Sequence, residues 1–592
     1  GGLWGPSSLE QAWSRVWLGE DVRIVDADVF GATFPVPADV DQVLRFFFGP
    51  GFELVYGPSR LHAPLRHPPP PAARQRLFSG SAKQDEVAAW LQHSVVGECT
   101  RLVPDKFAGF ERPRHAKELP PPATMEKVFS TFLCPSVPKM PMVPGETGNP
   151  VLRADPTGTI LVVRTMGCPE ERTIIQGDAA LQEEAVARFG PDEVAVDMEG
   201  PELLSLKADY LGACVYAFPF NLTVDGMVSV RARVFRTGFA ALDEDDFKSP
   251  LVDVDDLLGR DTWLSVAGTG VSSGKALEHL IMGVGKPACL RGRGGEAHGR
   301  WVSQIADRPD MFLSRPLVPC PISTNGARNP AYRAGGSGRS FLVDPDMYAW
   351  VARDCTDEWK DPPMAASCLK TKRVLFSGDS HMRVHYNSLL AFACDIPDAA
   401  QKSFHTSQCH APGFWSPCWG ATVCLEHNML GWVDSVLDLS KWDVVVANFG
   451  QHCAAGAEHW TLGEYSRYVE AYWGAVAARL RSQDQDPAVS PDRRTRFVWE
   501  ATHAMVVARD DLIGGSLDWR TNPRLTLFEQ HARRVVEKMQ AEFGTDRVMY
   551  LDAFNLTRPM VEAARGDCGH FKADNIQMAL SQLLLNLLCP ST

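Results

Sequence analysis

The chain has 592 residues, 45% of them apolar and 22% charged, the balance of a protein with several folded cores. Its 72 acidic side chains outnumber 59 basic ones, for a formal net charge of −13 without any basic run, so nucleic acid is not an expected partner. No run of ~18 apolar residues occurs, and no transmembrane helix is expected.

In chain order, three composition zones appear. The first, 1–155, is rich in proline, with Pro68 to Pro71 and Pro120 to Pro122 favouring extended polyproline II. A short helix is expected near Ser8–Trp17, and the zone suits a spacer or docking strand for structural protein partners. The second zone, 156–250, reads as β. Thr159–Val163 and Cys214–Phe220 are strand candidates, and Met227–Phe235 alternates apolar and polar residues as a half-buried strand does. Short strands between turns suggest a β-sandwich of immunoglobulin type, which Cys168 and Cys214 could bridge.

The third zone, 285–592, alternates strands and helices. Strands are expected at Arg373–Ser377, Asp443–Ala447, Arg496–Glu500 and Arg547–Leu551, with helices at Glu464–Arg481, Leu525–Phe543 and Ile576–Leu588. Uncharged β-branched strands between amphipathic helices predict a mostly parallel sheet covered on both faces. The fold class expected is therefore multidomain: a C-terminal three-layer α/β domain, preceded by a β-sandwich and a proline-rich region.

Chemistry in such a sheet sits at the carboxyl ends of the strands. After the first strand come Gly378, Asp379 and Ser380, a serine at a strand-to-helix turn whose N–H can hold an oxyanion. Either Asp379 or Ser380 could equally cap the helix. After the second strand, Asn448 can donate a further hydrogen bond to that oxyanion, and Gly450 permits close backbone approach. Before the last helix, Asp567 and His570 stand three residues apart. A serine hydroxyl needs a base, His570 can serve, and Asp567 can fix its tautomer. Asp379, Arg383, Gly450, Gln451 and His452 are the substrate-binding candidates, while His503, at a strand end, could line the pocket but reads first as a structural histidine.

Fifteen cysteines without a CxxC pair favour disulfides over a metal centre. Sequons at Asn221 and Asn555 add to a reading of the secretory pathway, either the Golgi lumen or the extracellular surface. Because the chain begins at Gly1, a leader or anchor ahead of it stays open as an expectation.

The ordered blocks Phe376-Ser377-Gly378-Asp379-Ser380 with Arg383, Asp443–Val446 leading to Asn448-x-Gly450, and Asp567-Cys568-x-His570-Phe571 resemble the SGNH hydrolase superfamily. They resemble most closely its PC-esterase branch: the trichome-birefringence-like proteins, the sialic acid acetyltransferase, and the neurexophilin-and-PC-esterase proteins. The lead-in from Cys289 through Gly299-Arg300-Trp301, Cys320-Pro321 and Trp350–Cys355 looks like that of the plant members, and Gly450-Gln451-His452 like that of the neurexophilin type. The likeness covers about half the chain.

This resemblance implies a glycan O-acyltransferase or acylesterase working through an acyl-serine, with acetyl the expected group. Ser380 would be the nucleophile, His570 the base, Asp567 its orienting partner, and the Ser380 N–H and Asn448 the oxyanion donors. No bound cofactor is implied. The acyl donor is undefined, acetyl-CoA being one option, and the partner class is a carbohydrate or glycoprotein. The alternative expectation is a catalytically inactive extracellular or cell-surface binding protein on the same fold. Three departures stand out: His381 replaces a small apolar residue, Phe571 replaces Trp or Tyr, and only Gly420 or Gly431 could supply the usual glycine block.

Overall fold

The computed structural model describes residues 24–29, 32–37, 75–76, 99–102, 129–135, 143–144, 150–164, 168–169, 173–174, 185, 187–212, 214–239, 241–242, 255–256, 262–269, 299–303, 318–319, 340–341, 348–352, 360–370, 372–394, 422–427, 441–454, 460–505, 520–561, 570–571 and 574–589. The helix expected near Ser8–Trp17, both proline runs, Gly420, Gly431, Asp567 and Cys568 lie outside them. Two compact units divide the chain, 1–74 and 75–592. In the first, Ile24–Val29 pairs antiparallel with Ala32–Pro37. Everything below concerns the second.

Among the described residues, twelve strands make up the body of two facing sheets: β1 (Thr100–Leu102), β2 (Phe129–Pro135), β3 (Pro150–Ala154), β4 (Thr157–Arg164), β5 (Glu193–Glu199), β6 (Glu202–Ser205), β7 (Asp209–Gly212), β8 (Val215–Asn221), β9 (Gly226–Arg236), β10 (Trp263–Val266), β11 (Gly299–Ser303) and β12 (Tyr348–Ala352). One sheet runs β7-β8-β4-β2-β1 and is antiparallel throughout. The other runs β12-β11-β6-β5-β9-β10-β3, with β10 and β3 parallel. A single apolar cluster fills the space between them: Ile160, Val162, Tyr216 and Phe218 from the first, Val196, Met198, Val230 and Leu264 from the second. Disulfides Cys99–Cys134 and Cys168–Cys214 staple the layer. The pairing reaches past the expected 156–250 limits on both sides, because β1, β2, β11 and β12 join the same sheets.

Strand β9 departs from its expected half-buried state. Val228, Val230, Ala232 and Val234 point into the core as the alternation demands, but Arg231 and Arg233 on the polar positions are buried as well, as is Arg236 beyond a register shift at the strand's end. The reason is charge pairing with β5. Arg233 bonds Asp197, Arg236 bonds Glu193, and Arg231 lies 3.4 Å from Glu199. A charge can leave water when a partner meets it. That face abuts the following layer, where Arg233 and Asp197 share a cavity with Arg558 and Asn522. Trp301 Nε1 donates to the Leu556 carbonyl (2.9 Å) and Arg558 to the Leu206 carbonyl (3.3 Å), tying the layers together.

Five further strands form one parallel sheet: β13 (Arg373–Gly378), β14 (Thr422–His427), β15 (Val444–Ala447), β16 (Arg496–Glu500) and β17 (Val548–Leu551). Their order is β14-β13-β15-β16-β17, every neighbour parallel. The helices are α1 (Pro362–Leu369), α2 (Ser380–Cys394), α3 (Gln451–Ala454), α4 (Leu462–Gln485), α5 (Asn522–Phe543), α6 (Ala553–Thr557) and α7 (Asp574–Leu588). All four residues of β15 are buried, as a strand covered on both faces must be. Right-handed crossovers send α2 to one face, because β14 lies on one side of β13, and α4 and α5 to the other, because the later strands extend the opposite way. Accordingly α2 packs with α7, and α4 with α5. Strand β14, with Glu and His in its short run, carried no signal strong enough to be expected.

Candidate active site

The chain leaves β13 for β14 on one side and returns to β15 on the other, which makes the carboxyl end of β13 the topological switch point where open parallel sheets bind their ligands. Ser380 sits at this point as the first residue of α2. A Cβ at Gly378 would stand 2.8 Å from the Asn448 carbonyl and 2.9 Å from Met382 Cβ, so only glycine lets the two strand ends approach. Asp379, fully buried, takes the capping role. Its Oδ1 accepts from the His381 N–H (2.9 Å) and the Met382 N–H (3.5 Å). The Ser380 hydroxyl is thereby released from capping. It lies 2.6 Å from His570 Nε2, across 190 residues of chain, and donates to that nitrogen when the ring is neutral there. Both residues are partly exposed.

The loop after β15 is held from two sides. The Asn448 N–H donates to the Ser377 carbonyl (3.0 Å), and its Nδ2 to the Glu500 carbonyl (2.9 Å). Phe449 wedges its ring among Tyr465, Tyr472 and Trp499, with centroids 5.0–6.1 Å away. Gly450 lies against Thr502 with no room for a Cβ. Gln451 is 1% exposed and donates through Nε2 to the His503 carbonyl (2.6 Å), so its amide turns inward. His452 is half-buried, as is Arg383, whose N–H continues the helix from the Asp379 carbonyl (3.1 Å). Ser380 and His570 thus meet at the carboxyl end of the sheet, where Asn448 follows β15 with its amide turned to the Glu500 carbonyl, while Asp567 falls outside the described residues.

Beneath this edge lies a polar cluster that the sequence did not announce. Glu500 ends β16, fully buried between two imidazoles. His385 Nδ1 donates to one carboxylate oxygen (2.8 Å) and His503 Nε2 to the other (3.1 Å). Burial opposes its ionisation, yet the His385 and His503 contacts outweigh burial and hold Glu500 down at about 2. The clue was a glutamate closing the apolar run Phe497-Val498-Trp499, a placement that costs energy without a partner. Nearby, burial pushes Glu529 of α5 up to about 8, despite hydrogen bonds from the Thr502 N–H (2.8 Å) and the Tyr550 hydroxyl (2.9 Å). Among the described residues no group of His, Cys, Asp and Glu has the arrangement of a metal centre.

Both sequon asparagines are exposed: Asn221 ends β8, and Asn555 lies on α6 with its Nδ2 donating to Asp552 (2.7 Å). Three disulfides among the described residues, including Cys368–Cys589, suit an oxidising compartment. No helix among the described residues is long and apolar enough to cross a membrane. Comparison with known proteins finds no family model, no curated relative and no solved structure that matches this chain.

Proposed function

We propose that the chain is an SGNH-type acyl-transfer enzyme, a glycan O-acyltransferase or acylesterase, with an immunoglobulin-like sandwich ahead of its α/β domain. The observation that carries this reading is the 2.6 Å approach of the Ser380 hydroxyl to His570 Nε2, at the switch point of a parallel sheet. A serine hydroxyl alone is a weak nucleophile at neutral pH, and an adjacent imidazole is the common remedy.

In the first half-reaction Ser380 Oγ bonds to the acyl carbonyl carbon as its proton passes to His570 Nε2. The tetrahedral oxyanion takes hydrogen bonds from the Ser380 N–H and the Asn448 amide, whose Nδ2 carries a second hydrogen beyond the one given to Glu500. The bond to the leaving group breaks, and His570 returns the proton to it. In the second half-reaction a water or a sugar hydroxyl gives its proton to His570 and attacks the acyl-serine, which regenerates Ser380. Asp567 is the partner proposed for the other nitrogen of His570. Disulfides and exposed sequons support a setting in the secretory pathway or outside the cell.

The test is hydrolysis of p-nitrophenyl acetate by the full chain. Wild type releases p-nitrophenolate, and Ser380→Ala and His570→Ala lose about 10³-fold or more of kcat, since the parts of such a dyad act as a unit. Equal turnover by wild type and Ser380→Ala would overturn the reading and leave the binding-protein alternative.

A further inference from the structure

His381 resembles nothing that packing alone would choose. Its ring is 3% exposed, and an imidazole pays to leave water where an alkyl group gains. Yet it is wedged between two other imidazoles. Its centroid stands 4.8 Å from that of His570 and 4.8 Å from that of His503. Phe571 closes the side of this row, 6.4 Å from His381 and 6.1 Å from His503.

The far end of the row is anchored firmly. His503 donates to Glu500, and Glu500 receives His385 from α2. The backbone around them is fixed at successive residues: Asn448 holds the Glu500 carbonyl, Glu529 the Thr502 N–H, Gln451 the His503 carbonyl, and Thr557 the Ala504 N–H (2.9 Å). These four clamps fall within the five residues 500–504. A rigid abutment of this kind has a use where a ring must be kept in one place.

We infer that His381 and Glu500 are positioning residues for His570: the row His570–His381–His503, braced on the Glu500 carboxylate, fixes the imidazole plane that aims Nε2 at Ser380. The inference rests on the acyl-transfer reading above. It adds a brace supplied by α2 and β16 to whatever the loop ahead of His570 provides. Neither His381 nor Glu500 touches the acyl group. His381 fills the space that would let the His570 ring tilt, and Glu500 fixes the Nε2–H form of His503 and so the ring His381 leans on. A displacement of about 1 Å between reacting groups costs on the order of 10²-fold in rate, so the brace acts on kcat.

The experiment compares kcat and KM for p-nitrophenyl acetate in wild type, Ser380→Ala, His381→Ala, His381→Phe and Glu500→Gln, with circular dichroism on each. His381→Ala is expected to lower kcat about 10–100-fold with KM within about twofold. His381→Phe, which restores a ring without its nitrogens, is expected to recover most of that loss. Glu500→Gln is expected to lower kcat about tenfold at unchanged KM. If wild type turns over and Ser380→Ala does not, but kcat is unchanged in folded His381→Ala and Glu500→Gln, the brace is wrong and the acyl-transfer reading stands. A folded His381→Phe no better than His381→Ala also overturns the brace. If wild type matches Ser380→Ala, the reading itself fails and takes the brace with it.

Discussion

Glu500 and Glu529 sit only a few residues from each other's contacts, yet their environments drive them in opposite directions, to about 2 and about 8. Each shift is a pH dependence of stability. Glu529 has a folded value above its unfolded one of 4.5, so the folded state keeps a proton the unfolded state gives up. Stability from this group is full below about 4.5 and declines as pH rises toward about 8. Glu529→Gln removes the decline. Melting curves from pH 5 to pH 8 should show wild type losing Tm with rising pH and the variant losing less. Parallel slopes would contradict the assignment. Glu500 has the reverse sign: its contribution is present above about 4.5 and is lost as pH falls toward about 2. Acid unfolding monitored by tryptophan fluorescence should therefore have a shallower pH dependence in Glu500→Gln, and an identical midpoint and slope would count against a paired, ionised Glu500.

Helix α4 shows how local sequence sets an element. Thr461 and Glu464 form a reciprocal cap, the Thr461 hydroxyl taking the Glu464 N–H (3.2 Å) and the Glu464 carboxylate taking the Thr461 N–H (2.8 Å). Thr461→Ala should cost about 1 kcal/mol, read as a lower urea midpoint at unchanged m. An unchanged midpoint would show that tertiary packing alone defines the start of α4. Such signals explain which elements were legible. Strands β13, β15, β16 and β17 are short apolar runs between long periodic helices, and each lies within a residue of its expected limits. Strand β14 was missed because Thr422–His427 places Glu and His at an outer strand, where one edge needs no apolar signature. The outer face of β9 was misjudged for a related reason: alternation reports which residues are polar, and burial of those residues was decided by carboxylates some 35 positions earlier in the chain. The approach of His570 to Ser380 was legible because Ser380 follows β13 and His570 precedes α7. The Glu500, His385 and His381 contacts were not, since they join two elements whose faces meet only in the folded sheet.

At the scale of the whole molecule, Cys368–Cys589 closes the longest described covalent loop, 221 residues, and ties α1 to the residue after α7. Cross-linking of this span restricts the unfolded chain, so the double Cys368→Ser, Cys589→Ser variant should lose about 2–5 kcal/mol. The check is the denaturant midpoint of each protein under non-reducing conditions, and equal midpoints would show the bridge to be energetically idle. The same oxidising setting predicts glycans at Asn221 and Asn555: expressed through a secretory pathway, the chain should shift on endoglycosidase treatment, and the double Asn→Gln variant should not. The central claim concerns one hydroxyl, and covalent chemistry tests it most directly. Incubation of the full chain with a fluorophosphonate, followed by peptide mass spectrometry, should find the adduct on Ser380 in wild type and none in His570→Ala. An unmodified Ser380, or labelling that persists without His570, would contradict the account.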